Sequence, residues 1–291
     1  MPDQKRKQKS EVSIIGSGRL GTALAVALAA EGYTIRSLVA RRLQKAQRAA
    51  GLLNARVQVL AAKELRTLIP ADLFLITVPD DQIQRVADEL SEVELNADRK
   101  VTALHTSGAL SAAVLAPLRK KGWQTGSIHP LISVSDNTTN LQGAFWSVEG
   151  DSGALRLGKA IVRDLGGRSF SIRSEDKPLY HAAAVMASGN VMALFDVALE
   201  MLVQCGLSRK TARSILQPLI ASAVRSLATK DPAQALTGTF SRGDVETVKR
   251  HVAALKKSQL ADALALYRLL GQRSLKLSKE QPQITRILKS V

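Results

Sequence analysis

The stretch from Glu11 to Arg42, EVSIIGSGRLGTALAVALAAEGYTIRSLVARR, constrains this chain more than any other. It opens with an apolar run, Val12 to Ile15, that suits a buried parallel strand. Gly16-Ser17-Gly18-Arg19-Leu20-Gly21 then matches G-x-G-x-x-G, and an Ala/Leu-rich segment leads to Gly32 and a second strand-like run, Thr34 to Ala40. In such a unit Gly16 permits a tight turn, Gly18 lets backbone amides approach a pyrophosphate, and Gly21 lets the helix pack on the strand. The helix N-terminus meets the anion with unpaired N–H groups. Strand, glycines, helix and strand within about 30 residues predict a Rossmann-type dinucleotide site rather than a glycine-rich turn.

The end of the second strand bears on which dinucleotide. An NAD site places an acid about 20 residues past the glycines, for the ribose hydroxyls. Here the chain reads Val39-Ala40-Arg41-Arg42. Two guanidinium groups suit a 2′-phosphate, whose oxygens a planar fork binds bidentately, so NADP (NADPH) is the expected cofactor.

Past this unit, strand signals recur at 56–60, Asp72 to Val78, Lys100 to Leu104, Trp123 to Ile128, Phe145 to Glu149 and Arg168 to Ile172. Helical patterns lie between them, and Asp80 or Asp81 stands where the helix to Leu90 would be capped. From about residue 175 the period changes to helix alone: Pro178 to Gln204, Ser208 to Thr229, Asp244 to Lys257, and Gln259 to Lys276. The expected organisation is a basic disordered tail (1–10), a Rossmann-type, mostly parallel α/β sheet domain (11–174), and an all-helical domain for substrate and dimerisation (175–291). The active site is expected in the cleft between the domains.

One cysteine, Cys205, excludes a disulfide framework, and four scattered histidines lack metal-ligand spacing, so no metal is expected. The net charge of +16 includes eleven Lys/Arg against four Asp/Glu in the last 50 residues, but aromatics are 3%. It is read as solubility and attraction for anions, not nucleic-acid binding. The apolar stretch Ala182 to Leu199, interrupted by Ser188, Asn190 and Asp196, is read as a buried helix rather than a membrane span. A cytoplasmic location follows.

From Val12 onward the chain resembles the Rossmann-like and DUF2520 domain proteins, related to the 6-phosphogluconate dehydrogenase superfamily. The resemblance is carried by GSGRLG, LHTSGALSAAVLAPL, SIHPL, KPLYHAAAV and SRGDVETVKRHVAAL. It implies an NAD(P)-binding domain, a helical C-terminal domain and a homodimer. In the wider superfamily the SG and HP segments look like the places where prephenate dehydrogenases put a substrate-binding Ser and His. The chain departs from the pattern at Ser188-Gly189-Asn190 and at Thr239 after Gly238, so no helical-domain Asn is carried over.

Ligands of an open parallel sheet bind beyond the carboxyl ends of its strands, which singles out Val78-Pro79, His105 to Gly108, and His129-Pro130. Ser107 suits a substrate oxygen or a helix N-cap. His129 suits orienting or protonating a carbonyl, or a structural role. His105 is expected to point into the sheet. Lys177 and His181, four apart at a helix start, form a second candidate pair. A cation beside the positive end of a helix dipole calls for a reason, such as proton transfer or an anionic substrate. The expectation is an NADP-dependent oxidoreductase moving a hydride between nicotinamide and a small anionic carbonyl, imine or hydroxy-acid substrate, with Lys177, His181, Ser107 and His129 as catalytic candidates. Gly16 to Gly21, Arg41, Arg42, Val78 and Pro79 would bind the cofactor. The alternative is a non-catalytic NADP-binding sensor or assembly protein.

Overall fold

In a computed structural model, eight strands join in one sheet of order β3-β2-β1-β4-β5-β6-β7-β8. The structure describes residues 9–94, 100–136, 139–258, 260–278 and 281–290. Six strands are parallel: β1 (Glu11–Ile15), β2 (Thr34–Ala40), β3 (Gln58–Ala61), β4 (Leu73–Ile76), β5 (Thr102–His105) and β6 (Gln124–Leu131). β7 (Phe145–Gly150) runs against β6, and β8 (Arg168–Phe170) runs parallel to β7. The order reverses between β1 and β4, the switch point where such sheets hold ligands.

The helices of this region are α1 (Arg19–Ala30), α2 (Leu43–Ala50), α3 (Asp80–Ser91), α4 (Ala116–Lys120) and α5 (Ser152–Asp164). They cover both faces, which explains why β4 reads as a continuous apolar run. Leu73 and Leu75 enter a core with Leu24, Leu28 and Ile161. Phe74 and Ile76, pointing the other way, join Ile83, Leu90 and Leu118. All four β4 side chains are fully buried, each stabilising the fold by about 1.5–3 kcal/mol.

The remaining helices are α6 (Lys177–Ala187), α7 (Gly189–Gln204), α8 (Arg209–Leu227), α9 (Pro232–Ala235), α10 (Thr239–Arg242), α11 (Val245–Lys257), α12 (Ala261–Leu277) and α13 (Pro282–Lys289). Sequence periodicity missed α9, α10 and α13, and it read α6 and α7 as one helix although Ser188 (φ −129°, ψ −76°) interrupts them. The start expected at Gln259 lies outside the described residues. Two compact units result, Met1–Met186 and Ala187–Val291. Their boundary falls later than the change of sequence period because α6 packs with the sheet. The second unit has its own core of Val248, Val252, Leu275, Ile284 and Leu288.

Two expectations need correction. Lys9, assigned to a disordered tail, pairs with Asp164 at 2.9 Å; residues 1–8 lie outside the described residues. The stretch Ala182 to Leu199 is not a buried helix: Leu199 alone among these residues is buried, and Met186 and Met192 are two-thirds exposed. By length and composition the segment Ser174–Gln204 is apolar enough to cross a membrane.

Candidate active site

The glycine loop is built as the spacing predicts. Gly16 has φ +114°, and a Cβ there would meet the Thr77 backbone at 2.7 Å. A Cβ on Gly21 would collide with the Gly16 carbonyl and Thr77 Oγ1, so the first turn of α1 packs directly on the loop. Gly18 opens instead onto free space, its nearest neighbour 3.9 Å away. Its own N–H donates to Gly16 O at 2.6 Å, so the amides left open at the start of α1 are those of Arg19, Leu20 and Gly21. These precede the first intrahelical bond, Thr22 N–H to Gly18 O, and have no acceptor one turn back.

Gly16, Ser17, Gly18, Val78 and Pro79 line a cleft of about 600 Å³ whose apolar walls include Ile15, Val39 and Leu65. Arg41 and Lys45 bring two cations to it, one turn apart at the start of α2. Arg42 occupies the N-cap position of α2, exposed, and does not line the cleft. Of the two arginines that the sequence marked for a 2′-phosphate, Arg41 lines the cleft and Arg42 does not, while Lys45, which it did not mark, does. The i, i+4 spacing from Arg41 to Lys45 was the available signal. A pyrophosphate cradle and a two-cation end fit a dinucleotide carrying an extra phosphate.

Pro79 lines this cleft, and Asp80, the next residue, leads into a second cluster. Asp80 and Asp81 do not cap α3; Pro79 holds the N-cap position and both acids lie in the first turn. Asp80 instead accepts the Ser107 hydroxyl at 2.8 Å. Ser107 Oγ also accepts the N–H groups of Ala109 (3.1 Å) and Leu110 (3.0 Å), closing a turn rather than capping a helix. Its hydroxyl is thus committed to the fold, and the substrate-binding role expected for it is not what its geometry favours.

Lys177 is similarly committed. Its side chain is 1% exposed, and Nζ donates to Ser127 Oγ (2.7 Å) and the Ser107 carbonyl (3.2 Å). Glu149 stands 4.0 Å away, itself accepting the Ala112 amide (2.9 Å) and the Ser174 hydroxyl (2.8 Å). Burial pushes the Lys177 ammonium below its ordinary range, against the pull of Glu149 and Asp80. The reason for a cation at this helix start is a buried strut between β5, β6 and α6.

The imidazoles divide by environment. His105 is fully buried: Nδ1 accepts the Ser107 amide and Nε2 meets the Ser111 carbonyl, both at 3.2 Å. Burial and the nearby Lys177 cation lower it to about 3, a neutral structural histidine as expected. His129, near the end of β6, bonds Tyr180 Oη through Nδ1 at 2.7 Å. Burial, then His181 and Lys177, lowers it to about 4. His181 stands edge to face with His129 (centroids 5.5 Å), and its buried Nδ1 meets no hydrogen-bonding partner among the described residues. The two rings converge over Gly108, where a Cβ would lie 2.5 Å from His181 Nδ1 and 2.9 Å from His129 Nε2.

Lys177, His181, Ser107 and His129 thus form one cluster, divided between a structural pair and an imidazole pair. Every member belongs to the first unit. Sequence reasoning missed Asp80, Glu149 and Tyr180; the K-P-L-Y-H spacing, with Tyr180 three past Lys177, was the one signal for the last.

A family model for a Rossmann-like domain matches residues 2–130, and one for a domain of unknown function, DUF2520, matches residues 144–274. The chain is a Rossmann-like and DUF2520 domain protein. No curated protein matches the sequence. Among solved structures, this DUF2520 protein is similar to a candidate NADP oxidoreductase from Bacteroides fragilis, at 21% identity and TM-score 0.75 over 92% of this chain and 99% of that one. A protein from Thermotoga maritima gives 23% and 0.72 over 92% and 98%, and an imine reductase from Pseudomonas 18% and 0.61 over 97% and 99%. Likeness at these identities establishes the shared fold. In the DUF2520 protein the two family matches split the cluster: Ser107 and His129 fall in the first, Glu149, Lys177, Tyr180 and His181 in the second.

Proposed function

We propose that this chain is an NADP-dependent oxidoreductase that moves a hydride between the nicotinamide and the carbon of a small carbonyl or imine. The observation that carries this reading is the imidazole pair of His129 and His181, the latter with Nδ1 unpartnered among the described residues, packed on buried Gly108 and joined to the wall of the dinucleotide cleft through Ser107, Asp80 and Pro79. Bound NADPH would supply the hydride, and NADP would accept it in the reverse direction. Arg41 and Lys45 would hold the 2′-phosphate, and the amides opening α1 the pyrophosphate. When hydride reaches a C=O or C=N carbon, the heteroatom takes up a proton, and two adjacent imidazoles suit that need. The NADP oxidoreductase and imine reductase among the structural relatives support the same chemistry. Lys177, the basis for expecting an anionic substrate, is committed to Ser107 and Ser127, so the carbonyl or imine is the part carried forward. A screen of cyclic imines, oxo acids and aldehydes for NADPH oxidation, and of hydroxy acids and amines for NADP reduction, tests the proposal. Tight NADPH binding with no turnover across these classes would favour the alternative, a non-catalytic NADP-binding sensor or assembly protein. The commitment of Lys177 and Ser107 to structure supports that rival.

The assembly proposed is a homodimer through the helical region. Met192 and Leu194 on α7 and Ile215, Leu219, Val224 and Leu227 on α8 are exposed, more apolar surface than a monomer ordinarily leaves in water. A second copy would cover it by a self-complementary contact. Light scattering should give twice the 31.2 kDa chain mass. A monomer that floats with lipid vesicles would assign the apolar surface to a membrane instead.

A further inference from the structure

The protonation of the His129–Tyr180 pair can be read from its surroundings. Tyr180 Oη lies 2.7 Å from His129 Nδ1, and the rings meet edge to face with centroids 5.6 Å apart. Phe170 packs on Tyr180 at 5.9 Å, and Ser147 is the register partner of His129 on β7. Burial raises the Tyr180 phenol, tempered by the Ser147 hydroxyl, so the phenol keeps its proton. His129 is lowered to about 4 by burial and by His181 and Lys177 on the adjacent helix, with neutral His105 on the neighbouring strand, so its ring is neutral near pH 7. Between a neutral phenol and a neutral imidazole, the phenol is the better donor and the bare ring nitrogen the better acceptor. The bond then runs from Tyr180 Oη–H to Nδ1, and the ring proton resides on Nε2. Nε2 is the nitrogen bordering the missing side chain of Gly108.

The geometry points to Tyr180 as a positioning residue that holds His129 in its Nε2–H tautomer, making it a fixed neutral hydrogen-bond donor over Gly108. A neutral imidazole with a depressed pKa polarises a carbonyl or imine without giving up its proton. The exchangeable proton falls instead to His181. The same helix supplies both groups, and the spacing suits the strand beneath: Lys177 meets Ser127 and Tyr180, three residues on, meets His129. Three helical residues advance about 4.5 Å and two strand residues about 6.6 Å, close enough for one helix face to follow one strand face.

The role at a substrate rests on the oxidoreductase reading; the tautomer does not, and it can be measured on the full chain without cofactor. Long-range ¹H–¹⁵N correlation of the uniformly ¹⁵N-labelled protein distinguishes a bare from a protonated nitrogen in each ring, with His129→Gln identifying the His129 signals. The expected result is Nε2–H on His129 by about tenfold over Nδ1–H, the bias of one hydrogen bond, with the ring still neutral at about pH 5. Tyr180→Phe keeps the aromatic contacts and removes the donor, so the ratio should fall toward parity while NADPH affinity holds. His251, bonded to Tyr267 at 2.8 Å in the other unit, is the internal control and should not change. An Nδ1–H tautomer in the unaltered protein overturns the inference, as does an unchanged ratio in Tyr180→Phe. If Tyr180→Phe does not fold, the unaltered protein's spectrum alone decides. Failure of every substrate screen with the Nε2–H tautomer intact would sink the oxidoreductase reading and leave the tautomer standing.

Discussion

Replacing Lys177 with Met separates a strut from an acid–base group. The ammonium makes two hydrogen bonds, to Ser127 Oγ at 2.7 Å and the Ser107 carbonyl at 3.2 Å, and bonds to a charged group contribute about 1.5–3 kcal/mol each. Against that sum stands the burial of a cation, which costs several kcal/mol. The downward shift of the Lys177 pKa says that burial outweighs the attraction of Glu149 and Asp80. Removing one partner of a buried pair costs about 3–5 kcal/mol when the other is left uncompensated. Glu149 keeps the Ala112 amide and the Ser174 hydroxyl, so the loss should be smaller, about 2 kcal/mol at neutral pH. The pH dependence has a definite sign. A lysine whose folded pKa lies below its unfolded value binds fewer protons in the folded state across that interval, so native stability rises with pH there. Lys177→Met lacks that rise, and its deficit should widen as pH approaches the ordinary lysine value. Both tryptophans, Trp123 and Trp146, are buried in the first unit, so fluorescence-monitored urea unfolding at neutral and alkaline pH reports on the right part of the chain. NADPH affinity should be retained. If Lys177→Met is as stable as the unaltered protein at both pH values, yet turns over with a shifted pH profile, the strut argument is refuted.

Further measurements bear on the rest of the site. Arg41→Ala with Lys45→Ala should erase an NADPH preference over NADH of at least about tenfold, about 1.4 kcal/mol; Arg42→Ala should leave most of it, and calorimetric titration separates the two. Gly108→Ala places a methyl within 2.5–2.9 Å of both imidazoles, so it should abolish turnover while sparing cofactor binding by calorimetry. His181→Gln preserves volume but cannot carry a proton near neutrality, and once a substrate is found it should lower kcat by about 10²-fold or more; an unchanged kcat would remove His181 from the chemistry.

The parallel sheet was legible because its signals are local. β2 falls on the residues its pattern marked, and the glycines carry the contacts their spacing implies. The helical half was less so: α9 and α10 are four residues each, too short for a 3.6-residue period to register, and a single serine divides what reads as one apolar helix. At the site, sequence identified the right segments but not the partners. That Ser107 and Lys177 serve the fold follows from Asp80, Ser127 and Glu149, which lie 27, 50 and 28 positions from them. A cation at a helix start carries the same sequence whether it faces a ligand or a buried hydroxyl. That Lys45 lines the cleft and Arg42 does not was hidden for a related reason, since which of two nearby cations turns toward a cleft depends on the helix phase.

The late division between the compact units, after α6 rather than before it, has a consequence for how such chains can be recombined. A joint placed where strands give way to helices would leave the sheet with Ser107, His129 and Ser127 but without the lysine and tyrosine that secure them. The incoming half would bring its own α6, cut to fit another protein's strands. Exchange of whole halves is therefore constrained at every contact along that helix, and a new specificity reached by shuffling would have to carry α6 together with β5 and β6 as a single inherited block.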